Sequence, residues 1–340
     1  VTIGALLMSI IGSLFLATNT IRPIKKISEH VNIIAETEDY EKLIGTKNEK
    51  IEINSGDEIG VLAYSINDMT YKLIEKSKSD KQLLLGKEIQ KKFIPLEPFE
   101  NDFVDIYGFY EGAKGVSGDY FDYKKLDEEH YAFIICDVSG KAVPAALIMV
   151  QISTIFRSFF SNFNVGKDKL DTVKIVNQIN DTVEERGFQG RFAAILVSIY
   201  NIKTGKMILT NAGYTKLLVY RDHKKETEWI SLADSGAAGI FPSFMLPSPF
   251  KLETLQINRG DIIFLFTDGI EEARNGQTII TSEGEEKEDE FGNERIKEVL
   301  DKSDGKTSKE IVELLIGAQN EYRGDFEQYD DLTLLAIRRK

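Results

Sequence analysis

The sequence predicts an α+β protein built in series: an apolar helix of membrane length, a helical relay, and a β-sandwich flanked by helices. Three observations carry that expectation. Val1 to Ile21 holds no charged side chain. Two heptad-like apolar segments follow it. From Val104 onward the text changes to short apolar runs separated by turns, with helical stretches gathered between them rather than alternating regularly. At 340 residues the chain has room for two or three domains and a sizeable core.

The first stretch has the roughly 20 apolar residues that span a bilayer. Arg22, Lys25 and Lys26 follow at once, which by the positive-inside rule puts the downstream chain in the cytoplasm of a membrane-bound protein. A signal peptide would carry its basic residues first and end at a cleavage site, and neither is seen. A buried core helix is the other reading. The chain opens without Met and reads as the part downstream of a sensing half. Its net charge of −13 argues against nucleic acid as a partner. A lone cysteine, Cys136, excludes an internal disulfide and a multi-cysteine zinc site, and its apolar surroundings read as core.

Ile24, Ile27, Val31 and Ile34 are spaced three, four and three apart, and Ile59, Leu62, Ile66, Met69 and Leu73 repeat the stepping. Such seams bury themselves in a bundle, and each is too short to stand alone. With the polar connector Glu36–Gly56 between them, they suit a parallel four-helix bundle in a homodimer. This region resembles a HAMP domain, with Pro23 opening the first helix, Asp57-Glu58-Ile59-Gly60 opening the second, and Leu43, Ile51 and Ile53 packing the connector. An ordinary helical hairpin is the plainer alternative. Lys76 and Asp80 break the seam. A linker helix then resumes over Leu83–Phe93 with Leu85, Ile89 and Phe93 on one face, and Pro95 and Pro98 stop it.

In the remainder, strands are expected at Val104–Tyr110, Tyr131–Asp137, Phe192–Tyr200, Lys206–Asn211, Lys216–Tyr220, Asp261–Phe266 and Leu332–Arg338. Helices are expected at Pro144–Phe163, Lys169–Arg186, Asn293–Lys302 and Ser308–Tyr322. The organising stretch is Cys136-Asp137-Val138-Ser139-Gly140-Lys141, a carboxylate at a strand end, a Ser-Gly turn, and Pro144 where a helix begins. Alone, such an Asp is a helix cap or a turn residue as readily as a metal ligand. Asp119, Asp268, Asp330 and Asp331 stand in similar places, and none of His30, His130 or His223 lies in these motifs. Carboxylates without thiol or imidazole suit Mg²⁺ or Mn²⁺ rather than zinc. A pair of such ions acidifies a shared water and neutralises a phosphoryl group.

The motif set resembles the metal-dependent PPM phosphatase superfamily in its SpoIIE/RsbU-type branch. Its pieces are Ser117-Gly118-Asp119-Tyr120-Phe121-Asp122, Asp137-Val138-Ser139-Gly140-Lys141 with Pro144-Ala145-Ala146-Leu147, Asn211-Ala212-Gly213-Tyr214, Gly239-Ile240-Phe241-Pro242, Thr267-Asp268-Gly269 continuing to Asn275, and Asp330-Asp331-Leu332-Thr333. The resemblance implies two divalent cations, Mn²⁺ or Mg²⁺. Asp137 bridges them, the Val138 carbonyl and Asp119 serve one, and Asp268 and Asp330 hold the other. Asp331 ligates or orients, and Asp122 supports its turn. Asn211-Ala212-Gly213 makes a turn or lines the cleft. Ser117 and Ala142 stand where the family often has Gly. The implied activity is protein serine/threonine phosphatase, acting on a phosphorylated partner of the STAS-type anti-sigma-factor antagonist class.

The implied order is a transmembrane helix over 1–21, HAMP over 22–76, a linker helix over 77–98 and a phosphatase domain over 104–340. The acidic segment Thr278–Gly292 reads as a solvated loop, with a flap as the alternative. Two other functions compete. A HAMP-linked diguanylate cyclase is imitated by Ser117-Gly118-Asp119-Tyr120-Phe121 but lacks counterparts of the later Asp motifs. A non-catalytic module using the same fold would be marked by a lost ligand, and none is lost.

Overall fold

A computed structural model of the chain describes residues 2–113, 115–187, 190–280 and 286–340. The residues cluster into two compact units, Val1–Leu85 and Gly86–Lys340.

In the first unit, α1 (Thr2–Leu16) buries no side chain and runs through a wide π-helical turn, Ala17–Ile21, into α2 (Arg22–Glu36). Thr2–Glu36 is long and apolar enough to cross a membrane. Pro23 explains the wide turn. It has no amide to donate, and its ring crowds the carbonyl one turn back, which a π-turn relieves. α2 buries Ile27, His30 and Ile34. Ile27 packs with Ile51 of the connector and Ala63 of α3 (Glu58–Lys91), flanked by Ile53, Ile59 and Ile66. Asn67 holds the connector by both ends of its amide, accepting from the Ile51 N–H at 2.7 Å and donating to the Ile51 carbonyl at 3.0 Å. Leu43 is buried as expected. The break expected at Lys76–Asp80 is not a break in the backbone. α3 continues through it to Lys91, because that stretch contains neither Pro nor Gly and loses only its apolar seam.

The second unit is a sandwich. After β1 (Phe99–Glu100) come β2 (Val104–Glu111), β3 (Tyr120–Lys125), β4 (His130–Val138), α4 (Val143–Ser161), α5 (Val173–Arg186), β5 (Ala193–Asn201) and β6 (Lys206–Ala212). β7 (Lys216–Arg221), β8 (Glu226–Ser231), β9 (Glu253–Gln256) and β10 (Ile262–Phe266) follow, then the hairpin β11 (Arg274–Ile280) and β12 (Glu286–Glu290), α6 (Gly292–Leu300), α7 (Ser308–Arg323) and β13 (Leu332–Arg339). One sheet has the order β1-β2-β13-β10-β7-β8 and the other β3-β4-β5-β6-β9, all antiparallel.

Period-two alternation decides which side chain goes where. In β10, Ile263 and Leu265 join Leu335 and Ile337 of β13 in the core shared with the other sheet. Ile262, Phe264 and Phe266 face the opposite way and pack with Ile296, Ile311 and Leu315 of α6 and α7. α4 and α5 contribute Ile148, Ile152, Ile175 and Ile179 to the larger core. α4 is apolar enough to cross a membrane by composition, but here it is a core helix. The segment Thr278–Gly292, expected as a loop, is largely the hairpin β11–β12, and residues 281–285 lie outside the described residues.

Candidate functional site

Each acidic residue singled out above stands at a strand end or in the turn beside one. Asp119 precedes β3, Asp137 is the penultimate residue of β4, Asp268 follows β10, and Asp330 and Asp331 precede β13. The sheet order makes β3 and β4 neighbours, as it does β10 and β13. The two sheets are tied together at this end by Thr267, whose hydroxyl donates to Asp119 Oδ2 at 2.6 Å. The Thr267 N–H donates to the Thr333 carbonyl at 3.1 Å.

Two glycines permit the close approach. A Cβ on Gly118 would stand 2.7 Å from the Val138 carbonyl oxygen, and one on Gly269 would stand 1.9 Å from that of Asp331. Neither position has room for a side chain. Gly140 takes φ +87 and Ala142 takes φ 64 with ψ −152, so the turn after Val138 runs through backbone that L-residues avoid. Arg191 pins that turn by donating to the Ser139 carbonyl at 3.1 Å.

Burial and mutual repulsion both push four of these carboxyls upward. Asp119 lies well above the usual carboxylate range, through burial and then through Asp137 and Asp331. Asp137 is pushed up to about 7, through burial and then through Asp268, Asp330 and Asp331. Asp268 is raised by burial and by Asp330, and Asp331 chiefly by burial. A crowded set of acids that suppress one another's ionisation, from buried Asp119 to Asp268 at the open rim, is a site that a multivalent cation stabilises, and its oxygen donors suit Mg²⁺ or Mn²⁺. The residues therefore fit the group. Among the described residues, no three acidic, imidazole or thiol side chains already converge on one point. Several are engaged elsewhere. Asp330 Oδ2 is 2.7 Å from Lys141 Nζ, and Asp331 Oδ1 accepts from the Ala113 N–H at 2.8 Å.

Asp122 is fully buried and sits apart from this set, paired with Arg157 at 2.7 Å and accepting from the Tyr120 hydroxyl at 2.7 Å. Asn211 is the penultimate residue of β6 rather than part of the expected turn, and it ties the strand to the segment after β8: its amide donates to the Ala233 carbonyl at 3.0 Å, and Ser235 donates to its side chain.

Two neighbours of the site were given no role from the sequence, although Tyr214 closes the motif Asn211-Ala212-Gly213-Tyr214. Gln90, in the last turn of α3, is buried and bonded to Ser117, two residues before Asp119. Tyr214 has its hydroxyl within 2.9 Å of both the N–H and the carbonyl of Phe266, donating to the carbonyl and accepting from the N–H. The β7–β10 ladder ends at Phe264, so this phenol supplies the bonds the next residue of β7 would have made. Both residues act on backbone atoms, which leave no mark in a sequence pattern.

A sandwich of two antiparallel sheets between helical layers, with aspartates gathered at one end of its strands, is the fold of the PP2C-type metal-dependent phosphatases. The chain belongs to the SpoIIE family: the Stage II sporulation protein E (SpoIIE) pattern matches residues 127–340, and a HAMP domain matches 15–73. It is 26% identical over 326 residues to Protein IcfG of Synechocystis sp., covering 85% of this chain and 48% of that protein. It is also 26% identical over 259 residues to the phosphoserine phosphatase RsbU of Bacillus subtilis, covering 76% and 70% respectively. The chain thus spans about half the length of the first of these relatives. The SiaA-PP2C domain of Pseudomonas aeruginosa shares the fold with a TM-score of 0.59 at 18% identity, covering 78% of this chain and 98% of that one. RsbX, solved in complex with magnesium, has a TM-score of 0.51 at 17% identity, covering 72% of this chain and all of that one.

Proposed function

We propose that this chain is a membrane-anchored, signal-regulated protein serine/threonine phosphatase. It removes phosphate from phosphoserine or phosphothreonine on a partner protein of the STAS-type anti-sigma-factor antagonist class. Its boundaries are a membrane helix over 1–21, HAMP over 22–76, a linker over 77–98 and a phosphatase domain over 104–340. The observation that carries the reading is the set of crowded, mutually repelling aspartates at one end of the sandwich, with Asp119 and Asp331 buried, Asp137 half-buried and Asp268 open to solvent at the rim.

Asp137, with the Val138 carbonyl and Asp119 on one side and Asp268 and Asp330 on the other, would hold two divalent cations, Mn²⁺ or Mg²⁺. Such cations supply an acidified water and neutralise the phosphoryl charge. This chain's own contribution is placement. Thr267 orients Asp119, and Ala113 and the Gly118–Val138 contact fix the loops that present the carboxylates. HAMP and the linker make the protein a homodimer in this reading. In the single chain Ile24, Val31, Leu62 and Met69 are each more than a third exposed, an apolar seam that a second copy would cover.

The test is phosphate release from a phosphoserine peptide by the detergent-solubilised chain, with Mn²⁺ and with EDTA. Release that requires Mn²⁺ supports the phosphatase. No release under either condition favours the alternative, a non-catalytic module of the same fold.

A further inference from the structure

We propose that Lys141 is a substrate-binding residue of this site. Without metal it serves as the internal counter-cation of Asp330; once that carboxylate is taken by a divalent ion, its ammonium serves the phosphoryl group. The inference rests on the metal-site reading above and assigns a role to a residue that reading leaves idle.

Three contacts fix where the ammonium sits. Lys141 Nζ lies 2.7 Å from Asp330 Oδ2, donates to the Tyr329 carbonyl at 3.0 Å, and stands 4.4 Å from the centre of the Tyr329 ring. The other oxygen of Asp330 accepts from the Asp331 N–H at 2.8 Å, so both oxygens of Asp330 have partners. A cation entering at Asp330 therefore displaces Lys141. The Tyr329 carbonyl and ring do not depend on the Asp330 charge, and they keep the displaced ammonium beside the site. The lysine side chain is 42% exposed, so it can turn toward a ligand arriving from solvent.

The backbone gives a second, independent reason. Lys141 lies between Gly140 at φ +87 and Ala142 at φ 64, ψ −152. A non-glycine residue in that region costs on the order of 1–3 kcal/mol, and such strain persists where the surroundings impose it. Here the turn throws the Lys141 side chain back across Asp330 instead of out along α4. A phosphate monoester brings two negative charges to a site whose nearest protein groups are carboxylates. A lysine at its rim is the point charge that phosphate groups bind.

Lys141→Met tests this on the full chain in detergent, because two readouts move in opposite senses. Removing a competing cation from Asp330 tightens Mn²⁺ binding, measured by calorimetry, by about fivefold or more. Removing the phosphate partner raises KM for p-nitrophenyl phosphate by about tenfold. Lys141→Arg keeps the charge and restores most of the KM. In an Asp330→Asn background, Lys141→Met leaves Mn²⁺ affinity unchanged. A Lys141→Met protein with unaltered or weaker Mn²⁺ binding, or with unaltered KM, makes Lys141 a structural ion pair and overturns the proposal. A parent chain that binds no Mn²⁺ overturns the metal-site reading and this inference with it. Normal Mn²⁺ binding by the parent with no shift in the variant overturns the inference alone.

Discussion

Gln90 holds the Ser117 peptide from both sides. Its side-chain amide donates to the Ser117 carbonyl at 2.6 Å, and its Oε1 accepts from the Ser117 N–H at 2.9 Å. The Tyr110 hydroxyl donates to the same oxygen at 3.1 Å. Ser117 in turn accepts from the Asp119 N–H on its hydroxyl at 2.9 Å. The last turn of α3 therefore grips the loop that presents a candidate metal ligand. Gln90→Ala leaves both Ser117 backbone groups unpaired, each costing about 1–3 kcal/mol. The expected outcome is a lower melting temperature and a phosphatase rate reduced about tenfold, with Mn²⁺ half-saturation moved upward. A variant that melts lower but keeps the parent's Mn²⁺ dependence would make Gln90 a packing residue only.

The outer face of the same helix makes a different prediction. Leu84, Leu85 and Ile89 are 58%, 57% and 52% exposed, whereas Phe93 packs against the sandwich core. If that face pairs with a second copy, Ile89→Ala lowers both the dimer fraction and the rate. A rate equal to the parent's, with an unchanged oligomeric state, reduces the linker to a tether.

Ala142 offers a test by improvement. Glycine at φ 64, ψ −152 relieves about 1–3 kcal/mol of strain, offset by the roughly 0.4–1 kcal/mol that glycine adds to the freedom of the unfolded chain. Ala142→Gly should thus gain about 1 kcal/mol in denaturant unfolding. A loss of stability would mean that the turn is not strained.

Asp137 predicts a pH dependence for the metal-free protein. Its carboxyl is raised from 3.8 to about 7, so the folded state holds a proton that the unfolded chain releases. Between about pH 4 and pH 7 the folded state binds more protons, and stability falls as pH rises through that window. Asp137→Asn removes this contribution. In EDTA its unfolding free energy should exceed the parent's at pH 7.5 by up to a few kcal/mol and match it near pH 4. Equal stabilities at both pH values would contradict the raised carboxyl.

The central strands were legible because their residues are apolar runs of strand length, as in Ile262–Phe266 and Leu332–Arg339, and the structure places them within a residue or two of expectation. What the sequence concealed is polar. β8 and β9 are edge strands with polar residues interspersed, such as Glu226 and Glu253–Gln256, and were not among the expected strands. β12 is Glu286–Glu290, a hairpin arm whose acidic text suggests a solvated segment. β3 was hidden by Asp122, whose burial depends on Arg157 far along the chain. Asp119, Asp137 and Asp268 stood out because turn glycines accompany them, whereas Asp330 and Asp331 stood out only as a pair before an apolar run. The roles of Gln90 and Tyr214 could not be read, since each residue recognises a peptide group that any residue would supply.

Tyr214→Phe isolates one such contact. It strips the Phe266 N–H and carbonyl of their partner just before Thr267 and Asp268, at about 1–3 kcal/mol for each buried group. The variant should melt lower and need more Mn²⁺ for half-maximal rate. Unchanged Mn²⁺ dependence would confine Tyr214 to the fold.

The claim beneath all of these is that Asp137 organises a divalent-cation site for phosphoester hydrolysis, and the most direct measurement is turnover of a phosphoserine substrate by Asp137→Asn at saturating Mn²⁺. The account predicts loss of hydrolysis with the fold intact by circular dichroism, and similar losses for Asp268→Asn and Asp330→Asn. Parent-level turnover by a folded Asp137→Asn protein would contradict it.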